Sequence, residues 1–266
     1  MNNSQIETHH ALTIAGSDSC GGAGIQADLK TFSAFGVQGA TVLTAITAQN
    51  TAGVSQVETL ATGMVRAQLI AVDEELPIKA AKTGMLANAD IIEVLIEHLA
   101  DQPNLALIVD PVMVATSGAR LLDREAESAL REGLLPKARL VTPNLPEAAV
   151  LTGLADDRPV EAYAEALLSL GCAAVLIKGG HGKGSQVEDL LVTESTSKRY
   201  THPRRPLQVH GTGCALSAAI TACLARGASL EVAVDQAIEW LQQQLDQTWA
   251  APGGKLAMLR FNQAAR

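Results

Sequence analysis

Between residues 62 and 177 short aliphatic runs take turns with longer stretches whose apolar residues recur at helical spacing. Helical spacing covers 62–75, 88–100, 123–132, 146–152 and 160–170; the aliphatic runs are 78–83, 105–109, 139–142 and 173–177. Strands joined through helices run parallel, cross over right-handed, and form a sheet covered on both faces. Upstream, 11–15 reads as a buried strand ending at Gly16, 23–35 as a helix stopped by Gly36, 40–47 as a second strand and 54–60 as a short extended piece. Downstream, 187–210 reads as two or three short strands, followed by helices over 214–226 and 230–248 and an irregular tail. No stretch resembles a linker and no repeat is visible. Residues 11–266 therefore read as one domain, behind a polar and loose segment 1–10.

Composition narrows the function. Apolar residues make up 47% of the chain but aromatic ones only 3%, so the core is built from Ala, Leu, Val and Ile. The net charge is −8 and no long basic run exists, which argues against a nucleic-acid partner. No apolar run approaches the roughly 20 residues of a membrane span. The 4 cysteines form no CxxC pair and no zinc spacing, and no secretory segment is apparent. Reduced thiols in the cytoplasm are expected.

The chemistry-bearing residues fall where parallel strands end, the place where open α/β sheets bind ligands. Gly211-Thr212-Gly213-Cys214 runs into an apolar helix. Its glycines allow close backbone approach, and the helix start offers free N–H groups to a phosphate. Cys214 in that first turn is expected to have a lowered thiol pKa; a glycine-started core helix with a buried thiol is the alternative. The loop 16–24 is glycine-rich without being a nucleotide motif. Asp110 follows an aliphatic strand and either faces the crevice, where it can hold magnesium, or caps its own turn. Asn144 and Glu147 stand three apart at a helix start, as a capping box, as a magnesium-orienting pair, or as both. Lys178 ends another strand beside Gly179-Gly180, as a phosphate-neutralising charge or as a solvated loop lysine. Gly182-Lys183-Gly184-Ser185 reads as a mobile loop. Taken together this is an inventory for phosphoryl transfer from a nucleotide.

Several of these blocks resemble the hydroxymethylpyrimidine/phosphomethylpyrimidine kinases of thiamine biosynthesis, members of the ribokinase-like superfamily. They are Ala15-Gly16-Ser17-Asp18, Gly21-Gly22-Ala23-Gly24 through Thr31, Thr44 through Thr51, Lys82-Thr83-Gly84-Met85-Leu86, Asp110-Pro111-Val112-Met113, Thr142 through Ala148, Lys178-Gly179-Gly180-His181 and His210 through Cys214. They keep a consistent order over about residues 11 to 248. The resemblance implies a three-layer α/β/α sandwich with a central, mostly parallel sheet. It implies ATP and Mg2+, a homodimer, and phosphorylation of 4-amino-5-hydroxymethyl-2-methylpyrimidine and then of its monophosphate. Carried over, Ala23, Asp28, Thr47, Gln49 and Met85 line the pyrimidine pocket. Asp110, Asn144 and Glu147 organise magnesium and phosphates, with Asp110 and Glu147 on the metal partly through water. Lys178 meets the nucleotide phosphates, and Gly211, Thr212 and Gly213 form an anion hole. Cys214 stands where sugar kinases of the superfamily carry an aspartate base. A thiolate there would take the hydroxyl proton; a neutral thiol would be a poor base.

The chain departs from that pattern in places. Ile238 occupies a position where a lysine is common. The C-terminal segment ends Pro252-Gly253-Gly254-Lys255 rather than in glycine, proline and histidines, and Cys20 stands where Gly or Ser is more usual. Competing readings are a pyridoxal kinase, a non-catalytic sensor of the pyrimidine, and a dinucleotide oxidoreductase, the last disfavoured by the missing G-x-G-x-x-G.

Overall fold

A computed structural model describes residues 8–115, 118, 120–181 and 184–262. The segment expected to be loose lies mostly outside them, as do Gly182 and Lys183 of the expected mobile loop. His10, expected in the loose segment, already pairs with Gln38 as the first residue of a strand.

In chain order the elements are β1 (His10–Asp18), α1 (Gly24–Ala34), β2 (Gln38–Asn50), β3 (Gly53–Thr59), α2 (Thr62–Asp73), β4 (Ala80–Thr83), α3 (Ala89–Ala100), β5 (Ala106–Val109), α4 (Ala126–Ala129), β6 (Leu140–Val141), α5 (Leu145–Thr152), α6 (Val160–Ser169), β7 (Ala174–Ile177), β8 (Gln186–Thr193), β9 (Ser197–Pro203), β10 (Val209–His210), α7 (Thr212–Ala225), α8 (Leu230–Leu245) and β11 (Ala257–Met258). Nine strands form one sheet in the order β3-β2-β1-β4-β5-β6-β7-β8-β9. From β2 to β7 every neighbour is parallel; β3 joins one edge antiparallel, and β8 and β9 extend the other antiparallel.

Side chains that alternate along the strands feed two apolar layers. Ala81, Leu107, Val109 and Val175 pack with α2, α3, α5 and α6 on one face. Ala80, Ile108, Leu140 and Leu176 pack with α1, α7 and α8 on the other. The three-layer sandwich expected from the sequence is the fold. The aliphatic composition explains the tightness of its second face. Helix α7 is buried nearly all round, and its run of alanines lets it lie close to the sheet while α1 and α8 cover it.

Three local expectations change. β1 continues through Gly16-Ser17-Asp18 because a register shift lets Ser17 and Asp18 pair with Ile46 and Thr47 of β2. The helix expected over 123–132 is a short α-turn followed by a π-turn at Leu130–Leu134 and a 3-10 turn at Leu135–Lys137; Pro136 has no N–H to continue an α-helix. The tail is not wholly irregular, since β11 folds back to pair parallel with β10. Because the inner strands are parallel, the loops after β1, β4, β5, β6 and β7 all open on one edge of the sheet, where α7 also starts.

Candidate active site

Those loops enclose a cavity of about 220 Å³. Ala23, Thr47, Gln49, Met85, Asp110, Asn144, Glu147, Lys178, Gly211, Thr212, Gly213 and Cys214 all line it. The exception among the expected residues is Asp28. It is fully buried on α1 behind the pocket wall, where it accepts bonds from Thr13 Oγ1 (2.6 Å) and from Lys82 Nζ (3.0 and 3.1 Å). A carboxylate so enclosed is committed to its partners and does not face a substrate.

Two glycines shape the cavity. Gly24 starts α1 at φ +55°, and a Cβ there would lie 2.4 Å from the Gly16 carbonyl oxygen. Gly211 caps α7 at φ +79°, and a Cβ there would lie 1.8 Å from the Gly22 carbonyl oxygen. The first-strand loop and the start of α7 therefore touch backbone to backbone, which no other residue type permits. The N–H groups at the start of α7 sit at the cavity wall, in the arrangement that binds anions.

Beside them lies a charged cluster. Asp110 accepts from Lys178 Nζ (2.8 Å) and Thr142 Oγ1 (3.2 Å) on one oxygen and from Ser217 Oγ (3.2 Å) on the other. Burial alone would raise its pKa, but Lys178 and Lys82 outweigh that and hold its carboxyl below the ordinary range. Burial opposes the charge on Lys178, yet Asp110 and Glu147 keep it protonated. Glu147 and Asn144 make the reciprocal capping box: Asn144 N–H to Glu147 (2.8 Å) and Glu147 N–H to Asn144 Oδ1 (2.9 Å). The capping and cavity readings of this pair hold together. Burial, helped by Asp110 and only partly offset by Lys178, pushes the Glu147 carboxyl up to about 7.

Of the two readings of Cys214, the lowered thiol does not hold and the glycine-started helix with an unactivated thiol does. It lies half-buried at the cavity wall, and burial pushes the thiol up to about 11. Lys82 favours the thiolate, but Asp28 and Asp110 oppose it, and the helix start does not prevail. At neutral pH Cys214 is a thiol.

Asp18 and His210 were not among the candidates expected from the sequence, although both line the cavity. Asp18 accepts from the N–H groups of Cys20 (3.0 Å), Gly22 (3.0 Å) and Ala23 (2.8 Å) and contacts His210 Nε2 at 2.9 Å. Burial would raise its pKa; the bond from His210 and those N–H groups hold it down to about 2. Facing an ionised carboxylate, His210 carries a proton on Nε2. That nitrogen then has no lone pair for the Gln49 amide nitrogen 3.3 Å away. Thr47 likewise has one hydroxyl proton, placed between the Ser17 carbonyl (2.8 Å) and the Gln49 amide oxygen (3.2 Å). The Thr47 conflict vanishes when Gln49 turns its NH2 to Thr47, and the Gln49 oxygen then shares the single Nε2–H proton of His210 with Asp18. The Gln49 amide is thereby oriented from both ends. The signals for Asp18 and His210 were positional: a carboxylate in the last residue of β1, and an imidazole just before the Gly211 turn.

A second hollow of about 200 Å³ opens from the same edge, sharing Lys178, Gly180, Thr212 and Gly213 with the first. Its walls include Leu207, Val209, Leu216, Leu241 and Leu245. Ile238, where a lysine is common, packs instead in the apolar layer of α7 and α8.

The family model described as Phosphomethylpyrimidine kinase matches residues 18–258. The chain belongs to the phosphomethylpyrimidine kinase family. A Rhizobium meliloti (strain 1021) protein named hydroxymethylpyrimidine/phosphomethylpyrimidine kinase is 52% identical over 235 residues, covering 87% of this chain and 88% of its own. The solved structure of phosphomethylpyrimidine kinase from Clostridium difficile 630 is similar at a TM-score of 0.80 and 43% identity, covering 90% of this chain and 100% of that one. An ADP complex of Bacillus subtilis pyridoxal kinase is similar at a TM-score of 0.88 and 36% identity, covering 97% and 98%. Membership of this kinase family makes the chain a phosphotransferase.

Proposed function

We propose that the chain transfers the γ-phosphoryl group of ATP to the hydroxymethyl oxygen of 4-amino-5-hydroxymethyl-2-methylpyrimidine, and then phosphorylates the monophosphate to the diphosphate. The observation that carries this reading is the shared wall of the two hollows. Lys178, Thr212 and Gly213 belong to both, so a phosphoryl group passing between occupants of the two hollows would meet the same groups.

The pyrimidine occupies the first hollow. Gln49, oriented by His210 and Thr47, reads the ring's nitrogen edge, Met85 packs on its face, and Ala23 closes the loop side. The nucleotide lies in the second hollow with its phosphates at Lys178. The hydroxymethyl oxygen bonds to the γ-phosphorus as the bond from that phosphorus to the β,γ-bridging oxygen breaks, and ADP leaves. The N–H groups of Gly211, Thr212 and Gly213 and the Lys178 ammonium receive the charge on the phosphoryl oxygens. Cys214, a thiol, packs against the nucleophile; the hydroxyl proton passes to an oxygen of the transferred phosphoryl group, as a loose transition state permits.

The donor set fits magnesium. Asp110, Asn144 and Glu147 offer only oxygen ligands, and a carboxyl raised to about 7 in a cavity is one that a cation would relieve. Asp110 and Glu147 would hold the ion, partly through water, and its chemistry would be to neutralise the triphosphate.

Residues 11–266 act as one domain, and we place the protein in the cytoplasm as a homodimer. No helix among the described residues is long and apolar enough to cross a membrane, and size-exclusion chromatography with light scattering reports the oligomer. A second reading, pyridoxal kinase activity, is favoured by the likeness to the Bacillus subtilis pyridoxal kinase. Incubation with ATP, magnesium and either hydroxymethylpyrimidine or pyridoxal, followed by mass spectrometry, tests both. Mono- and diphosphorylated pyrimidine is the expected result. Pyridoxal phosphate alone would replace the first reading by the second, and binding of the pyrimidine without ATP consumption would indicate a sensor.

A further inference from the structure

The end of β1 brings a carboxylate, a thiol and an imidazole to one point. A carboxylate oxygen of Asp18, the sulfur of Cys20 and a ring nitrogen of His210 lie within 4.8 Å of one another. Asp18 Oδ2 is central: it lies 2.9 Å from His210 Nε2 and 3.6 Å from Cys20 Sγ. Asp18 and His210 are buried, and Cys20 is half-buried. The imidazole comes so close to the loop because Gly22 has no side chain; a Cβ there would lie 2.7 Å from His210 Cδ2. Asp18 and His210 line the substrate cavity, whereas Cys20 lines a different hollow of about 290 Å³, so the cluster has an approach of its own.

Oxygen, sulfur and imidazole nitrogen together are a donor set for zinc, unlike the all-oxygen set of Asp110, Asn144 and Glu147. Around a tetrahedral zinc such atoms lie about 3.3–3.6 Å apart. Two of the three separations are already near that, and a turn of the half-buried Cys20 side chain closes the third. Asp18 Oδ2 takes protons from both His210 Nε2 and Cys20 Sγ, besides the N–H groups of Gly22 and Ala23. One divalent ion replaces both of those side-chain protons. His210 Nδ1 has no hydrogen-bond partner among the described residues, so giving Nε2 to an ion breaks no bond at the other ring nitrogen. Burial and the Asp18 charge hold the Cys20 thiol above its ordinary pKa. A cation on the same carboxylate reverses that and takes the thiolate.

We propose that Asp18, Cys20 and His210 form a zinc site, with water in the fourth position, and that filling it weakens pyrimidine binding. The Cys20 proton leaves to solvent and the His210 proton moves to Nδ1. Gln49 then loses the Nε2–H that orients its oxygen. Cys20 supplies the soft ligand that Gly or Ser, more usual at this place, would not. The metal site stands apart from the kinase reading; its effect on the pyrimidine rests on that reading.

The test is titration of the full chain with cadmium, a spectroscopic substitute for zinc, in excess magnesium, followed by thiolate-to-cadmium charge-transfer absorption. Wild type is expected to develop the band at one equivalent, Cys20→Ser to lack it, and Cys214→Ser to keep it. Losing even a group that merely orients a metal ligand costs about 10–100-fold in affinity, so Cys20→Ser should bind zinc at least about a hundredfold more weakly by calorimetry. His210→Gln is read in the same way should the first variant fold poorly. No band in wild type, or a band that survives Cys20→Ser, would overturn the site. One equivalent of zinc should weaken wild-type binding of hydroxymethylpyrimidine about three- to tenfold, as suits one lost neutral hydrogen bond, and should leave Cys20→Ser unaffected. An unchanged affinity in zinc-loaded wild type would overturn the link to Gln49. If metal-free wild type binds no pyrimidine, the functional reading fails instead, and the cadmium band still decides the site.

Discussion

Asp28 and Lys82 offer a sharp test of how the site is supported from behind. Both side chains are fully buried, and the carboxylate takes its bonds from one ammonium and the Thr13 hydroxyl. Lys82→Met leaves Asp28 with the hydroxyl alone in a medium that cannot solvate it. Breaking a buried pair from one side costs about 3–5 kcal/mol. In a chain of this size that lowers the melting temperature by roughly 6–20 °C, taking about 2–4 °C per kcal/mol. The double variant Asp28→Asn, Lys82→Met removes both charges, and the Asn oxygen can still accept from Thr13. What remains is an unpaired amide NH2, at about 1–3 kcal/mol. The double variant should therefore be more stable than Lys82→Met alone. Urea unfolding of wild type, single and double variants measures the coupling. The pyrimidine KM of the double variant should rise less than about tenfold, because a lost direct bond to a charged group would cost about 1.5–3 kcal/mol. Additive losses would refute the buried-pair argument, and a larger rise in KM would put Asp28 back in contact with substrate.

Three further outcomes follow from the cavity. Glu147 ionises near neutrality with its raised pKa of about 7, and only the ionised form attracts magnesium; the apparent magnesium affinity in initial-rate assays should strengthen from pH 6 to pH 8, and Glu147→Gln should flatten that dependence. Gly213→Ala puts a Cβ 3.2 Å from Lys178 Nζ at a helical position that tolerates alanine, so turnover should fall at least about tenfold while the melting temperature moves by only a few degrees. The Cys214 thiol, at about 11, carries no charge in the working range; Cys214→Ser should keep turnover within about tenfold, and its pH–rate profile between pH 6 and 9 should match that of wild type, which a thiolate base would not allow.

Much of the architecture was legible because β5, β6 and β7 are short and wholly apolar. Ala174–Ile177 is buried at every position, the pattern of a strand covered on both faces. Asn144 and Glu147 were legible because their bonds span three residues. What sequence spacing could not reveal were partnerships made by the sheet. Asp28 looks like a polar residue on the pocket side of α1, and only the parallel pairing of β1 with β4 brings Lys82, 54 residues on, under it. His210 reaches Asp18 across 192 residues, so neither residue signals the other in the chain. The state of the Cys214 thiol could not be decided from sequence for a related reason: its helix start is visible there, while Asp28 on α1 and Asp110 after β5, which oppose the thiolate together with burial, are brought up by the fold.

The central claim is that the Gly211–Gly213 turn stands between two occupants and receives the phosphoryl group in flight. A crystal structure with hydroxymethylpyrimidine and a non-hydrolysable ATP analogue measures it. The account predicts γ-phosphate oxygens within hydrogen-bond distance of those backbone N–H groups and of Lys178, and the hydroxymethyl oxygen about 3–3.5 Å from the γ-phosphorus. A γ-phosphate bound away from the turn, or a hydroxymethyl group pointing away from it toward the Gln49 side, would contradict it.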